Sequence, residues 1–294
     1  MIMKRFGLLS LLLFLFICIG TNAWADNEKT DPEPSRAISE KSGDSYDFFF
    51  YSYQPYLENI SAYNPMFFLV GTNPKNSMFQ FSFKYRFFRN DSTLTENNPW
   101  LTHFYFAYTQ TSFWDLKSQS MPFEDSSYKP EFFYLSSNYR SVDSSFAGLF
   151  FQFGARHESN GQSGDISRGT NTAYIKPIMI FYDKSSLWGL QIAPKLCAYF
   201  LNEDDTNPDL DDYRGYFNLQ IKFGKADNVV VDNHIWAARE GMSFQTDITY
   251  PLNRHIPFHL NIYLQGQYSN RLAERLRYYQ ERTEVFRLGV AIIR

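Results

Sequence analysis

Hydrophobic and polar side chains alternate along most of the chain with a period of two residues. The clearest segment is 79–87, in which aromatic residues take every second position and the positions between them hold Gln80, Ser82, Lys84 and Arg86. Since successive side chains on a β-strand point to opposite faces, this pattern predicts a strand with one aromatic and one polar face.

The alternating segments have about the length that a strand needs to cross a bilayer at a tilt, which is ~9–11 residues. Counted back from the C-terminus, about twelve of them begin near residues 46, 78, 101, 128, 146, 171, 187, 213, 229, 242, 258 and 283. An even number of strands is typical of bacterial outer-membrane barrels.

The connections between these segments fall into two groups. Three are short, at 183–186, 225–228 and 252–257, and five are long, at 55–77, 115–127, 160–170, 202–212 and 271–282. The two groups occupy alternating ends, as periplasmic turns and outer loops do in such barrels. We therefore predict an all-β fold, a single antiparallel transmembrane β-barrel of about twelve strands over 46–294, without a helix or a second domain.

The first 25 residues have the features of an export signal. A basic start is followed by an apolar run over 8–20, and Ala23-Trp24-Ala25 then provides a small-x-small cleavage site. These features predict a secretory signal peptide. Residues 26–45 are polar and rich in Pro, Glu, Asp, Lys and Ser, which predicts a flexible leader. An exported barrel is expected in the outer membrane of a Gram-negative bacterium.

The composition agrees with this interpretation. Aromatic residues make up 19% of the chain, yet the mean hydropathy is negative, as expected for strands with one apolar and one polar face. Outside the signal segment Cys197 is the only cysteine, so no internal disulfide can form. The net charge of −3 gives no reason to expect a nucleic-acid partner.

One predicted strand carries a polar pair on the face that should meet lipid. In 146–160, Phe151 and Phe153 share a face with His157 and Ser159, whereas the opposite face carries Gln, Arg and Glu. Polar groups facing hydrocarbon are costly and suggest a function. Because His157 and Ser159 are two residues apart on one face, their Cβ atoms should lie about 6–7 Å apart. At that distance the imidazole can reach the hydroxyl and act as its general base.

A third polar residue is predicted beside this pair. After the loop 160–170, the next strand opens with Asn171, whose face continues through apolar residues at 173, 175, 177 and 179. Asn171 should therefore emerge on the outer wall at the same end as His157. A group in that position can fix the tautomer of a catalytic histidine, so His157, Ser159 and Asn171 are the predicted catalytic residues.

At these residues the chain resembles the outer-membrane phospholipase A family, over nearly all of the predicted mature chain. The resemblance is carried by the run Ala155–Asn171, with His157, Ser159, Asn160, Gly161, Ser167, Arg168 and Asn171 in place, and by Tyr108-Thr109-Gln110-x-Ser112-x-Trp114, Asn207-Pro208-Asp209 and Tyr213-x-Gly215-Tyr216.

The resemblance implies a calcium-dependent acyl hydrolase that acts on membrane phospholipids and lysophospholipids and is active as a homodimer. Ser159 would be the nucleophile, His157 the general base and Asn171 its orienting partner. Gln110 would form a hydrogen bond across the dimer. The implied calcium ligands are the Ser167 hydroxyl, the Gln162 carbonyl and, from the second subunit, Ser120. Because the family often has an aspartate where this chain has Gly164, Asp165 or Asp205 is expected to compensate.

Two alternatives remain open from the residues alone. A passive channel or lipid-binding barrel would have a His157–Ser159 pair without hydrolytic activity, and its function would survive loss of the Ser159 hydroxyl. A barrel lipase or esterase that acts on other acyl esters would use the same three residues. The polar residue Gln110 on the outer face could also be tolerated near the membrane interface without a partner.

Overall fold

The structure, a computed structural model, describes residues 50, 53–54, 56–89, 92–139, 146–201, 206–254 and 261–294. The predicted signal peptide and leader lie outside these residues. The chain from Tyr56 to Arg294 forms one compact unit, which contains all the strands described. The barrel boundary at residue 46 stays a prediction.

Thirteen strands are found in the described part of the chain. They are Ile60–Ala62 (β1), Met66–Gly71 (β2), Ser77–Arg86 (β3), Phe104–Trp114 (β4), Phe123–Leu135 (β5), Phe146–Ser159 (β6), Gly169–Asp183 (β7), Trp188–Tyr199 (β8), Phe217–Lys225 (β9), Val230–Ala238 (β10), Gly241–Pro251 (β11), Tyr263–Leu272 (β12) and Arg282–Ile293 (β13).

The strands form one closed antiparallel barrel. From β2 to β13, each strand pairs with its neighbour in the chain, and β13 pairs with β2 to complete the ring. The twelve strands β2–β13 thus leave no free edge. The predicted fold class is confirmed.

The first wall segment differs from the prediction. Residues 55–77 were expected to form a long loop, but β1 and β2 lie within them and pair with successive parts of β3. The run Met66–Gly71 is apolar on both faces because Leu69 packs inside the barrel against Met78 and Phe113. The segment therefore lacks the alternation by which the other strands were recognised.

The two faces of the wall have opposite chemistry. Large apolar side chains are exposed on the outside, among them Phe81, Phe132, Phe153, Ile175, Leu196, Phe223, Phe244, Phe286 and Leu288. Polar side chains are buried inside, among them Thr109, Glu131, Gln152, Thr172, Asp232, Gln265, Gln267 and Arg287. An apolar outer band around a polar interior is the arrangement that a bilayer requires of a barrel.

Two short helices were not predicted, Thr93–Asn97 (α1) and Leu210–Arg214 (α2). Each has five residues, too few to show a helical period in the sequence. Leu210 of α2 packs with Ala273, Leu276 and Tyr279 of the loop 273–281. We call α2 and this loop the cap. None of the helices in the described ranges could cross a bilayer.

Candidate active site

The register of two neighbouring strands brings the polar pair and the asparagine together. β6 and β7 pair over almost their whole length, with His157 opposite Asn171 and Ser159 opposite Gly169. His157 is exposed on the outer face, whereas Glu158 between the two site residues is buried in the lumen. The predicted faces of this strand are therefore found in the structure.

The histidine and the asparagine share a hydrogen bond. His157 Nδ1 lies 2.9 Å from Asn171 Oδ1, and Asn171 Nδ2 donates to the Leu201 carbonyl at 3.1 Å. Because an amide oxygen can only accept, the Leu201 contact assigns Nδ1 as the protonated nitrogen. In the neutral ring of this tautomer the lone pair is on His157 Nε2, which is the form that a general base needs.

Ser159 lies on the same outer face as His157. It pairs with Tyr128 of β5 as well as with Gly169. The structure describes both residues, and it shows no hydrogen bond between the Ser159 hydroxyl and the His157 imidazole. Catalytic hydrogen bonds are often long before substrate binds, so this separation does not conflict with a nucleophile and base of the predicted kind.

The loop after Ser159 is organised around one buried side chain. Asn160 Nδ2 donates to the Ile166 carbonyl at 2.8 Å, and Asn160 Oδ1 accepts from the backbone N–H groups of Arg168 and Gln162 at 2.9 and 3.3 Å. Gly161 adopts φ +66°, and the ring of Tyr128 comes within 2.8 Å of where a Cβ would be. The loop is thus fixed both from within and by a side chain of β5.

An ion pair inside the barrel holds β6, the strand that carries His157 and Ser159, to the cap. Arg214, the last residue of α2, donates to both oxygens of Glu158 at 2.7 and 3.3 Å. It also contacts the Ala273 carbonyl at 3.4 Å. Glu158 is therefore the link between the polar lumen and the two outward-facing residues on either side of it.

The predicted calcium ligands lie in two loops at the Ser159 end of the barrel. Gln162, Asp165 and Ser167 follow one another in the loop 160–168, and Ser120 lies in the loop between β4 and β5 with φ +70°. Asp205 lies outside the described residues. The described residues contain no group of three or more His, Cys, Asp or Glu side chains able to hold a metal.

The loop that carries Ser120 has its own anchor. Asp115 accepts hydrogen bonds from the Ser118 hydroxyl at 2.5 Å and from the backbone N–H groups of Lys117 and Ser118. These bonds, led by the Ser118 hydroxyl, lower the pKa of Asp115. The Asp115 carboxylate is thereby already used within its own loop.

Gln110 belongs to a polar ladder on the outer face of β4. Tyr108 donates to Gln110 Oε1 at 3.1 Å, and Gln110 Nε2 donates to the Ser112 hydroxyl at 3.1 Å. Gln110 stands opposite Tyr128, which in turn stands opposite Ser159. The glutamine and the serine thus share one row of the sheet, two strand spacings or roughly 10 Å apart.

Three contributors to the site were missed by sequence reasoning. Tyr128 touches the site only through the register of β5, and Leu201 contributes a backbone carbonyl, so neither has a sequence signal. Asn160 was noted in the motif but its role as the centre of the loop was not. A short polar side chain between a strand and a glycine at a tight turn could have suggested that role.

The closed barrel and its apolar outer band define the class: the chain is a Gram-negative outer-membrane β-barrel protein. A family profile described as Phospholipase A1 matches residues 48–292. The chain belongs to the phospholipase A1 family.

Curated relatives agree with this assignment. Phospholipase A1 of Escherichia coli K12 is 28% identical over 165 residues, and that of Proteus vulgaris is 26% identical over 162 residues. Each match covers 53% of this chain and 53% of the relative, so it spans about half the length of these relatives.

The fold resembles two solved outer-membrane phospholipases. One is from Escherichia coli, with a TM-score of 0.61, and the other is a Salmonella typhi dimer with bound calcium, with a TM-score of 0.62. Each is 22% identical, and the alignments cover 79% of this chain and 91% of the other chain. At this identity the likeness concerns the fold.

Proposed function

We propose that this chain is a calcium-dependent phospholipase that hydrolyses acyl esters of phospholipids and lysophospholipids at the outer wall of the barrel. The observation that carries the proposal is the His157–Asn171 hydrogen bond of 2.9 Å on the lipid-facing side, with Ser159 two residues further along the same face of the strand. Polar side chains on a lipid-facing surface are costly and usually mark a functional site, and an acyl ester can reach this one directly from the surrounding lipid.

Each residue has a defined role in the proposed reaction. The Ser159 hydroxyl attacks the ester carbonyl while His157 Nε2 takes its proton, and the imidazolium then returns that proton to the leaving alcohol. Asn171 Oδ1 accepts from Nδ1 and keeps the ring in its productive orientation. Water then hydrolyses the acyl-serine with the same base, which releases the fatty acid.

Calcium is part of the proposal because the loop beside Ser159 has the right donor atoms. In the part of the chain that is described, the Gln162 backbone carbonyl and the side-chain oxygens of Asp165 and Ser167 accept no hydrogen bonds. Oxygen ligands of this kind suit Ca²⁺, which takes about 6–8 of them. When bound there, calcium would polarise the ester carbonyl and stabilise the oxyanion together with the Ser159 N–H.

Among the described residues the same donor set is incomplete. It includes a single carboxylate, and the neighbouring Arg168 guanidinium already occupies the carbonyl oxygens of Asp165 and Ser167 at 2.8 and 2.7 Å. Besides Asp205, which lies outside these residues, water, substrate and a second copy of the chain are the sources of further oxygens. We propose a homodimer in which Ser120 of one copy supplies such a ligand and Gln110 lies at the contact. Dimerisation and calcium would then control the activity.

The test is fatty-acid release from phospholipid in detergent micelles. Wild type and Ser159→Ala are compared, each with calcium and with a chelator. Release that requires both Ser159 and calcium is expected. Release that survives Ser159→Ala would contradict the assigned nucleophile, and no release under any condition would favour a barrel without hydrolytic activity.

The same assay separates the remaining alternative. Triacylglycerol and lysophospholipid are offered to the same preparation, and cross-linking reports the oligomeric state. Preference for the phosphorylated lipids is expected, with activity rising together with the dimer. Hydrolysis of triacylglycerol at the same rate as phospholipid would indicate a general esterase. Full activity in a preparation that shows only monomer on cross-linking would exclude control by dimerisation.

A further inference from the structure

Two lysines stand opposite each other inside the barrel. The pairs Tyr174–Cys197, Ile175–Leu196 and Met179–Ile192 fix the register of β7 and β8, and continuing that register places Lys176 opposite Lys195. Both side chains line the cavity in the lumen. Inward-facing like charges at directly opposed positions destabilise a sheet unless something compensates them.

Neither lysine has a carboxylate partner among the described residues. Lys176 Nζ donates to Gln220 Oε1 at 3.2 Å, and Lys195 Nζ lies 3.7 Å from the centroid of the Tyr174 ring. The direct contacts that are seen for the two ammonium groups are thus with neutral side chains. A buried or half-buried charge without a counter-charge is costly.

The nearby carboxylates are already engaged. Glu131 accepts from the phenols of Tyr63 and Tyr174. Asp232 lies 3.0 Å from Lys222 Nζ and accepts from Gln220 Nε2. Side-chain rearrangement that paired either acid with Lys176 or Lys195 would break these contacts.

The cavity that both lysines line is roomy, and its lining as a whole carries more positive than negative side chains. Its volume is about 290 Å³, and one water takes up ~30 Å³ in the liquid, so an ion with several waters fits. Eight Lys or Arg residues line it against five Asp or Glu residues. Among these cations, Arg156 has a buried Nε atom that lacks a hydrogen-bond partner in the described residues.

We propose that the lumen holds a binding site for a small inorganic dianion, sulfate or hydrogen phosphate, between Lys176 and Lys195. Such an ion neutralises both ammonium groups at once through charge-assisted hydrogen bonds. It thereby connects β7 with β8 next to Pro177. By the same register Pro177 faces Pro194, and neither proline has an N–H to donate to the β-ladder at this position. The site lies on the opposite face of the wall from Ser159 and is independent of the hydrolytic site.

The test is equilibrium dialysis of the full chain in detergent micelles against radiolabelled sulfate, at an ionic strength held constant with sodium chloride. Saturable binding of one sulfate per chain is expected. Lys176→Met and Lys195→Met should each weaken the affinity at least tenfold. Lys225→Met is the matched control, because this lysine lies near Asp227 at the end of β9, and it should bind as wild type does. Ser159→Ala should also bind sulfate normally.

Two further measurements keep the proposal falsifiable if a variant folds poorly. With wild type alone, unlabelled phosphate should displace sulfate at similar concentration, whereas chloride should need at least tenfold more. Sulfate should raise the thermal midpoint of wild type by mass action, and should not do so for Lys195→Met. Absence of saturable binding, equal displacement by chloride, or full binding by both lysine variants would overturn the proposal.

Discussion

At the residue scale, the candidate active site depends on one cross-strand pair. His157 and Asn171 are directly opposed in the β6–β7 ladder, so the backbone sets their separation and the side chains need little adjustment. The Leu201 carbonyl then decides which end of the Asn171 amide meets the imidazole. A rigid sheet and one backbone contact thus position a base for Ser159.

Asn171→Ala is expected to lower the turnover number at least tenfold. The loss should be smaller than the roughly 10²–10⁴-fold contribution of a positioned general base, because His157 itself remains. The measurement is kcat for fatty-acid release in micelles. Asn233→Ala is the matched control: Asn233 also donates to a strand carbonyl, that of Ile221, but lies on β10. Equal losses in both variants would show a general effect on the barrel.

Gly161→Ala is expected to disturb the site loop more than Gly164→Ala does. Both glycines have positive φ, +66° and +65°, so both changes carry about 1–2 kcal/mol of backbone strain. Only at Gly161 would the new methyl lie 2.8 Å from the Tyr128 ring, whereas nothing lies within 4 Å at Gly164. Activity should therefore fall further in Gly161→Ala. Adding Tyr128→Ala should recover part of the difference, and the absence of any recovery would contradict the steric explanation.

At the element scale, the cap is held by contacts between distant loops. Asp209 accepts hydrogen bonds from the Tyr279 phenol and from Gln280 Nε2 at 2.9 Å, while Leu210 packs against Leu276. Arg214 then binds α2 to Glu158, which lies on the lumen face of β6. The Asp209 hydrogen bonds at the start of α2 thus join the two parts of the cap, and the Arg214–Glu158 ion pair at its end joins the cap to the strand that carries the site.

The cap is expected to loosen in acid. The Tyr279 phenol lowers the pKa of Asp209, so the folded cap gains stability above the unfolded carboxyl pKa of about 3.9 and loses it as the pH falls through the lower folded value. Hydrogen-exchange protection of 273–281 should drop between pH 6.5 and pH 3.

Tyr279→Phe should remove most of this pH dependence. In that variant, protection should already be lower at pH 6.5 and should change less on acidification. Tyr268→Phe is the control, because its hydroxyl donates to Glu284 at 2.7 Å, away from the cap. The same acid-dependent loss in Tyr279→Phe and wild type would show that the Tyr279–Asp209 hydrogen bond is not responsible.

Sequence reasoning succeeded for elements in which one face is apolar and the other polar. The strands around His157 and Asn171 were placed correctly because Phe153 and Ile175 alternate with polar residues. It failed for Met66–Gly71, where Leu69 is buried inside the barrel, and for α2, whose five residues are too few for a period. The contact of Leu201 with Asn171 depends on a backbone carbonyl, which carries no sequence signal.

At the scale of the whole molecule, the barrel closes through a tight contact between its first and last strands. Gly289 of β13 pairs with Leu69 of β2. A Cβ at Gly289 would lie 2.0 Å from the Phe68 carbonyl oxygen, so only glycine allows the two backbones to meet there. Closure of the ring thus depends on a position without a side chain.

Gly289→Val is expected to impair closure, with an overpacking cost of about 1–3 kcal/mol or more. Gly266→Val is the matched control on the adjacent strand, since the nearest atom to its Cβ is a Phe286 ring carbon at 3.8 Å. The folded fraction is measured by the faster migration of unheated barrel on SDS gels. It should fall in Gly289→Val and stay at the wild-type level in Gly266→Val. Equal folding of the two variants would contradict a steric block at closure.

The sequence by itself determined the all-β barrel, the outward position of His157 and Ser159, and the family. These features follow from a period of two and from a local motif, both of which are written along the chain. Only the tertiary structure decided that β2 closes the ring, that Leu201 orients Asn171 and that Lys176 faces Lys195. Those contacts join residues far apart in sequence, and their register is set by strand pairing, which local alternation does not specify.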